Sequence, residues 1–105
     1  MTFAYTVRSE AETEETLRAW SAWLQATHLP EVVSAGALKV ELVHFDGKHL
    51  ECRYQFESRE AFARYERDHA PTLRADALAK FPPSSGLTMS RTTGDIVFVS
   101  QRPVR

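Results

Sequence analysis

Apolar and polar residues alternate along four segments of the chain, and a period of two residues is typical of half-buried β-strands. The four segments are residues 2–8, 37–45, 49–57 and 87–101. Asp46-Gly47 lies between the second and the third segment, and this dipeptide favours the tight turn of a β-hairpin. In the last segment, residues 92–95 (Thr-Thr-Gly-Asp) predict either a bulge within one strand or a turn between two strands.

The segment after the first strand has the 3.6-residue period of an amphipathic helix. Ser9-x-x-Glu12 matches a capping box, which predicts that this helix begins near residue 10. Pro30 has no backbone N–H, so we expect a break or kink at residues 28–29 and then a short turn to Ser34. The helix face predicted to meet the sheet carries Thr13, Leu17, Trp20, Leu24, Thr27 and His28.

A second helix is predicted after the hairpin, with Ser58 as its N-cap. One face of this helix carries Phe62, Tyr65 and His69. Pro71 then interrupts the helix, and a further helical piece follows before the last strand.

The predicted order of strand, helix, strand, strand, helix and strand is the βαββαβ arrangement of ferredoxin-like α+β folds. We expect a four-stranded antiparallel sheet in the order 4-1-3-2, with both kinked helices packed on one face. A chain of 105 residues has the usual size of one domain, so residues 1–105 are predicted to form a single domain. Residues 94–105 are predicted to be a C-terminal extension or an extra strand.

The sheet face away from the helices is predicted to carry apolar residues, and such residues favour burial against a partner. They are Val43, Phe45, Val97 and Val99. Glu41, Arg53 and Arg91 are predicted to form either a charged ladder across the dimer interface or exposed pairs that contribute little to stability. We therefore expect a homodimer in which the sheets of two identical subunits pack face to face.

Composition and charge argue against several classes of partner. Apolar residues make up 43% of the chain and charged residues 26%, which is typical of a globular domain and not of a disordered one. The longest uncharged apolar stretch, residues 96–100, is far shorter than the roughly 20 residues of a membrane helix, so no membrane partner is expected. A net charge of −1 with scattered arginines argues against nucleic-acid binding.

Cys52 is the only cysteine, so no internal disulfide can form, which is compatible with a reducing compartment. Its position within an alternating strand predicts a buried apolar role. The N-terminus lacks the basic and apolar segments of a secretory signal, and we therefore expect a cytoplasmic location.

Three segments resemble a family of short bacterial proteins of unknown function. They are residues 20–32, which contain His-Leu-Pro-Glu-Val, residues 54–58, and residues 65–74, which contain His-Ala-Pro. The resemblance extends from residue 3 to about residue 92, and the chain departs from the family's pattern from Gly94 onward. That family is similar to the dimeric α/β-barrel superfamily, in which two ferredoxin-like protomers pack their sheets together. The resemblance implies this fold and this dimer, and it implies no activity because the family has none assigned.

The superfamily includes cofactor-free monooxygenases, isomerases, polyketide-type cyclases and haem enzymes, with pockets between the sheet and the helices. In this chain, the residues predicted to line such a ligand-binding cleft are Tyr5, Trp20, Trp23, Tyr54, Phe62, Tyr65 and His69. The alternative is that the aromatic residues among them form the core, because large aromatic side chains supply much of the buried area of a small domain.

His28 is the candidate catalytic residue, because an imidazole titrates near neutral pH and the helical spacing turns this one toward the sheet. Glu31 is its predicted catalytic partner. The alternative for His28 is a structural role, in which its ring bonds a carbonyl group freed by Pro30 or pairs with Glu31. His69 precedes Ala-Pro in the same way and has the same alternative.

No metal or other cofactor is predicted. The four histidines show no short ligand spacing, and the chain has no glycine-rich nucleotide-binding motif. A histidine that ligates haem is left open. Two functions therefore remain: an accessory or small-molecule-binding dimeric module, favoured because no cluster of titratable groups converges, or a cofactor-independent cyclase, isomerase or monooxygenase acting on an aromatic or polyketide-like substrate.

Overall fold

Four strands and four helices make up residues 1–104, the part of the chain described by a computed structural model. The strands are β1 (Phe3–Ala11), β2 (Lys39–His44), β3 (His49–Phe56) and β4 (Leu87–Asp95). The helices are α1 (Glu14–Trp23), α2 (Leu29–Ser34), α3 (Arg59–Asp68) and α4 (Ala70–Lys80). A π-helical turn (Leu24–His28) joins α1 to α2, and a 3-10 turn (Pro83–Ser85) precedes β4.

The strands form one antiparallel sheet in the order β2-β3-β1-β4, which is the predicted order 4-1-3-2 read from the opposite edge. Tyr5 of β1 lies between Tyr54 of β3 and Thr93 of β4, and the helices cover the sheet face that carries Tyr5 and Tyr54. The predicted hairpin joins β2 to β3, and Gly47 in its loop has a φ of 59°, which glycine adopts at little cost. The ferredoxin-like α+β fold is therefore confirmed.

Strand β1 continues to Ala11, so the predicted start of the first helix near residue 10 is wrong. Ser9 is not an N-cap. It is fully buried, and its Oγ accepts a hydrogen bond from Nε1 of Trp20 at 3.1 Å. The N-cap is Thr13, whose Oγ1 accepts a hydrogen bond from the backbone N–H of Thr16 at 3.1 Å. The strand persists because every second residue along it is buried, and this alternation outweighs a local capping pattern.

The first helix has an irregularity at the place that Pro30 predicts, but the chain remains helical to Ser34, so the predicted turn there is wrong. The backbone N–H of Leu29 donates to the carbonyl of Leu24, five residues earlier, whereas an α-helix uses a spacing of four. Pro30 explains this wider turn, because its ring lacks an N–H and would clash with the carbonyl four residues before it.

The second helical segment follows its prediction. The Oγ of Ser58 accepts a hydrogen bond from the backbone N–H of Ala61 at 3.0 Å, so Ser58 is the N-cap of α3. The helix is interrupted at His69, and Pro71 lies in the first turn of α4, where its missing N–H leaves no intrahelical bond unmade. No helix among the described residues has the length and apolar character needed to cross a lipid bilayer.

Strand β4 pairs with β1 without interruption along its whole length, so neither the predicted bulge nor the predicted turn at residues 92–95 exists. The strand is also shorter than predicted, because its pairing ends at Asp95 and not at residue 101. Ile96 adds one backbone hydrogen bond to Thr2, and residues 97–104 continue without regular secondary structure. Arg105, the end of the predicted extension 94–105, lies outside the described residues.

The sheet face opposite the helices differs in part from its prediction. Glu41 lies directly opposite Arg53 on this outer face, as the predicted ladder requires. Arg91 does not belong to the ladder, because it lies opposite the buried Val7 and residues opposite each other in a sheet share a face. The side chains predicted to make this face apolar lie in two places: Val43 and Phe45 on or next to β2, and Val97 and Val99 beyond the end of β4.

Candidate functional site

A cavity of about 440 Å³ lies between the sheet and the helices that cover it. Its walls come from three strands, from α1, α3 and α4, and from the π-helical turn. The lining residues are Tyr5, Val7, Trp20, Leu24, His28, Cys52, Tyr54, Tyr65, Arg74, Ala77, Leu78, Met89 and Arg91. Mostly apolar walls with a few polar groups are typical of sites that bind small molecules.

Aromatic rings form much of the cavity wall. Tyr5 and Tyr54 are neighbours across β1 and β3, and their rings stack with centroids 5.3 Å apart and an interplanar angle of 24°. Trp20 is held in place by its hydrogen bond to Ser9, deep in the core. Four of the six aromatic residues predicted for a cleft therefore line this cavity. Trp23 does not line it and stacks instead against Trp20, with ring centroids 5.6 Å apart. Phe62 does not line it either and packs against Phe56, with ring centroids 5.2 Å apart.

His28 ends the π-helical turn and lines the cavity with its imidazole ring half-buried. The ring stacks on Trp23 with centroids 5.4 Å apart, and neither ring nitrogen forms a hydrogen bond with residues 1–104. The expected structural bonds, to a freed carbonyl or to Glu31, are therefore not formed there. Burial lowers the pKa of His28, and the opposing effect of Asp76 is smaller, so the imidazole is neutral at pH 7.

Tyr54, Tyr65 and Cys52 in the wall remain protonated at neutral pH. Burial raises the pKa of Tyr65 to about 12 and also raises the pKa of Tyr54. Burial also raises the pKa of Cys52 to about 12, so the thiol is not a nucleophile. The wall therefore offers neutral hydroxyl groups that can donate hydrogen bonds to a ligand.

Two arginines reach the hydroxyl group of Tyr5 from different elements. Nε of Arg91, on β4, donates to the Tyr5 hydroxyl oxygen at 3.0 Å, and Nη2 of Arg74, on α4, donates to it at 3.3 Å. Arg74 is also ion-paired with Glu66 on α3. One end of the cavity therefore holds two cations and a phenol that are linked by hydrogen bonds.

The sequence patterns did not identify these arginines as site residues, although Arg74 carried a signal. Arg74 follows Leu73 and lies four residues after Ala70 and three before Ala77, so helical spacing places it beside a buried face. Arg91 lies within a strand whose two faces are both largely polar, so its direction follows only from its pairing with Val7.

Glu31 and His69, both predicted as site residues, lie away from this cavity. They line a second, shallower one of about 380 Å³ between α2 and the junction of α3 and α4, together with Asp68. Their side chains are exposed, and Glu31 lies in α2, whereas His28 ends the preceding π-helical turn and lines the first cavity. Among the described residues, no group of three or more histidine, cysteine, aspartate or glutamate side chains is arranged to hold a metal ion.

A family model described as a domain of unknown function, DUF4286, matches residues 2–92. No curated protein matches the chain. Solved structures do match over nearly the whole length, at sequence identities that show the fold alone.

One of these structures is a dimeric ferredoxin-like protein from an uncultured marine organism, with a TM-score of 0.75, 12% identity, and coverage of 97% of this chain and 100% of that chain. Another is the monooxygenase ActVA-Orf6 of Streptomyces coelicolor, solved with the ligand nanaomycin D, with a TM-score of 0.65, 16% identity, and coverage of 94% and 92%. A third is SnoaB, a cofactor-independent oxygenase from Streptomyces nogalater, with a TM-score of 0.56, 11% identity, and coverage of 98% and 96%.

Proposed function

The chain belongs to the DUF4286 family, and because that family is a domain of unknown function, we propose a role from the geometry of the cavity. The domain binds a planar aromatic small molecule between its sheet and its helices. The observation that carries this proposal is the aromatic wall of Tyr5, Tyr54, Tyr65 and Trp20 around a cavity of about 440 Å³. Ligand pockets in proteins commonly enclose roughly 300–1,000 Å³, so the cavity is large enough for a ligand with two fused rings.

Fluorescence titration with a neutral planar probe tests this proposal. We expect 2-naphthamide to quench tryptophan emission saturably, because Trp20 lies in the cavity wall. Ala77→Phe would place a phenyl ring inside the cavity and is expected to abolish the saturable quenching. Ala75→Phe is the matched control, because Ala75 is exposed on the same helix and does not line the cavity. Unchanged binding by the Ala77→Phe variant would contradict the proposal, provided that its melting temperature stays near that of the wild type.

The partner in this proposal is a second copy of the chain, bound through the outer face of the sheet. The helices leave that face uncovered, and two solved structures with this fold are described as dimeric ferredoxin-like proteins. Phe45 is 41% exposed beside this face, with the guanidinium of Arg53 over its ring at 5.5 Å. A face with apolar groups and both signs of charge can pack against itself about a two-fold axis.

Light scattering after size exclusion measures the oligomeric state directly. Val43→Glu would add a third carboxylate beside Glu41 and Glu51 on the outer face, and we expect it to shift the dimer toward monomer. Val33→Glu is the matched control, because Val33 is partly exposed on α2, away from the outer face of the sheet. A wild-type monomer at micromolar concentration would refute this interface.

A second candidate function is cofactor-independent catalysis, and the neutral, unbonded imidazole of His28 favours it. Such a base can take a proton from an acidic carbon of a phenolic substrate, a step shared by cyclases, isomerases and cofactor-free oxygenases. For an oxygenase, the substrate CH₂ group and O₂ give a C=O group and water. The solved structures with this fold include a cofactor-independent oxygenase and a monooxygenase.

An oxygen electrode with dithranol, an anthrone with such a CH₂ group, tests this activity. Catalysis predicts oxygen uptake that His28→Gln removes while the melting temperature stays near the wild-type value. Oxygen uptake equal to the uncatalysed rate would contradict the oxygenase activity and leave ligand binding as the proposed function. Glu31 has no role in this mechanism, because it lines the separate cavity.

We also propose a reducing, cytoplasmic environment, since the single cysteine is a buried thiol. Cell fractionation that recovered the protein outside the cytoplasm would contradict this location.

A further inference from the structure

We propose that the ligand of this cavity is an aromatic carboxylate, whose anionic group binds Arg91 and the hydroxyl group of Tyr5. This inference rests on the proposed function and names the chemical class of its ligand. The cavity lining contains two arginines and no aspartate or glutamate. A binding site with uncompensated positive charge favours an anionic ligand over a neutral one of the same shape.

The two arginines differ in how much of their charge remains available. Arg74 is ion-paired with Glu66, so a carboxylate already balances its charge. Within residues 1–104, Arg91 has no ion pair, and only its Nε is engaged, in the hydrogen bond to Tyr5. A guanidinium group has five N–H donors, so both terminal nitrogens of Arg91 remain free to bind a carboxylate in the bidentate arrangement.

The hydroxyl group of Tyr5 supplies a third donor at the same point. Its oxygen accepts hydrogen bonds from Arg91 at 3.0 Å and from Arg74 at 3.3 Å. Its own hydrogen has no acceptor among the described residues, so it can be donated to a ligand. Two cationic donors on the phenol oxygen polarise the O–H bond and strengthen that donation.

The position of these groups also sets the orientation of the ligand. Arg91 lies on β4, the edge strand of the sheet, and its side chain is exposed to solvent. Trp20 and Tyr54 lie deep in the protein and offer aromatic surface. A ligand with an aromatic ring at one end and a carboxylate at the other would enter ring first and keep its charge near the solvent, which limits the cost of desolvation.

Titration with a pair of probes separates charge from shape. 2-Naphthoate and 2-naphthamide have nearly the same shape, and only the first is an anion at pH 7.5. We expect the wild type to bind 2-naphthoate about tenfold or more tightly than 2-naphthamide, the scale of one charge-assisted hydrogen-bond pair. Arg91→Gln should remove most of this preference, because it lowers the affinity for 2-naphthoate much more than the affinity for 2-naphthamide. Added salt should weaken only the binding of the anion.

Arg18→Gln is the matched control, because Arg18 is exposed on α1 and does not line the cavity, so the preference should persist. Tyr5→Phe removes the third donor and is expected to lower the affinity for 2-naphthoate more than the affinity for 2-naphthamide, because a carboxylate is the stronger acceptor. It provides a second test if Arg91→Gln fails to fold.

The possible outcomes distinguish the anionic ligand from the aromatic cavity. Equal affinity of the wild type for both probes, or an unchanged preference in Arg91→Gln, would overturn the anionic ligand while leaving the aromatic cavity as proposed. Saturable binding of neither probe would overturn both proposals. A preference that disappears in Arg91→Gln and persists in Arg18→Gln supports the assignment.

Discussion

The buried hydrogen bond between Trp20 and Ser9 makes the sharpest prediction about the stability of this fold. Nε1 of Trp20 donates to Oγ of Ser9 at 3.1 Å, and both residues are almost completely buried. Ser9→Ala would delete the acceptor and leave the indole N–H inside the core, where water cannot replace the lost bond. The change removes only one oxygen atom, so the packing of the neighbouring residues stays almost intact.

The expected loss follows from the burial. A buried donor left without an acceptor costs about 1–3 kcal/mol of unfolding free energy, whereas a hydrogen bond exchanged with water contributes less. For a domain of roughly this size, each kcal/mol shifts the melting temperature by about 4–8 °C, so Ser9→Ala should lower it by about 4–24 °C. Ser90→Ala is the control, because Ser90 is also in a strand, is exposed, and should change stability by less than about 0.5 kcal/mol.

Urea denaturation followed by circular dichroism measures these free energies, and a double-mutant cycle with Trp20→Phe isolates the bond itself. Removing both partners leaves no polar group unpaired. The loss of unfolding free energy in the double variant should therefore be smaller than the sum of the two single losses, by at least about 1 kcal/mol. Additive losses within about 0.5 kcal/mol, or a Ser9→Ala variant as stable as the Ser90→Ala variant, would refute the reasoning.

Three further predictions follow from individual residues. Burial lowers the pKa of His28 in the folded protein, so the unfolded chain binds more protons, and stability should fall as the pH drops below about 6.5. Urea titrations at pH 7.5 and 5.5 should show a smaller loss of stability for the His28→Gln variant than for the wild type. Burial raises the pKa of Cys52 to about 12, so a disulfide reagent at pH 8 should label the thiol only upon unfolding, and rapid labelling of the native protein would contradict this. Thr13→Ala and Ser58→Ala each remove an N-cap and should cost about 1 kcal/mol in the same urea assay, with no loss being the contrary result.

The sheet was predictable because the alternation of apolar and polar residues is strong on β1 and β3 and a turn dipeptide joins β2 to β3. The start of the first helix was not, because Ser9 and Glu12 match a capping box by residue type. A serine at a buried position of a strand interrupts the alternation of apolar and polar residues, and its burial is explained only by its hydrogen-bond partner. Trp20 is that partner, and it is distant in sequence, so the local pattern could not reveal it.

The candidate site was predictable to the extent that its residues are aromatic. Tyr5, Tyr54 and Trp20 stand out in the alternation or on the helix face. Tyr5 and Tyr54 meet because the strand order brings β1 and β3 together, and α1 packs Trp20 over that face of the sheet. Arg91 could not be assigned from its own strand, where polar residues occupy both faces. Its direction depends on the register with β1, a long-range pairing that the sequence of β4 does not specify.

The π-helical turn explains why His28 meets a cavity and not the core. Along a regular α-helix, Trp20, Leu24 and His28 are four residues apart and would share one buried face. The turn inserts one extra residue, so Leu29 follows Leu24 into the core and is almost completely buried. His28 is thereby displaced to the edge of the core, half-buried, where it lines the cavity and its ring nitrogens have no hydrogen-bond partner among residues 1–104. Because Pro30 is the cause of the wide turn, the residue that disturbs the helix also sets the position of the imidazole.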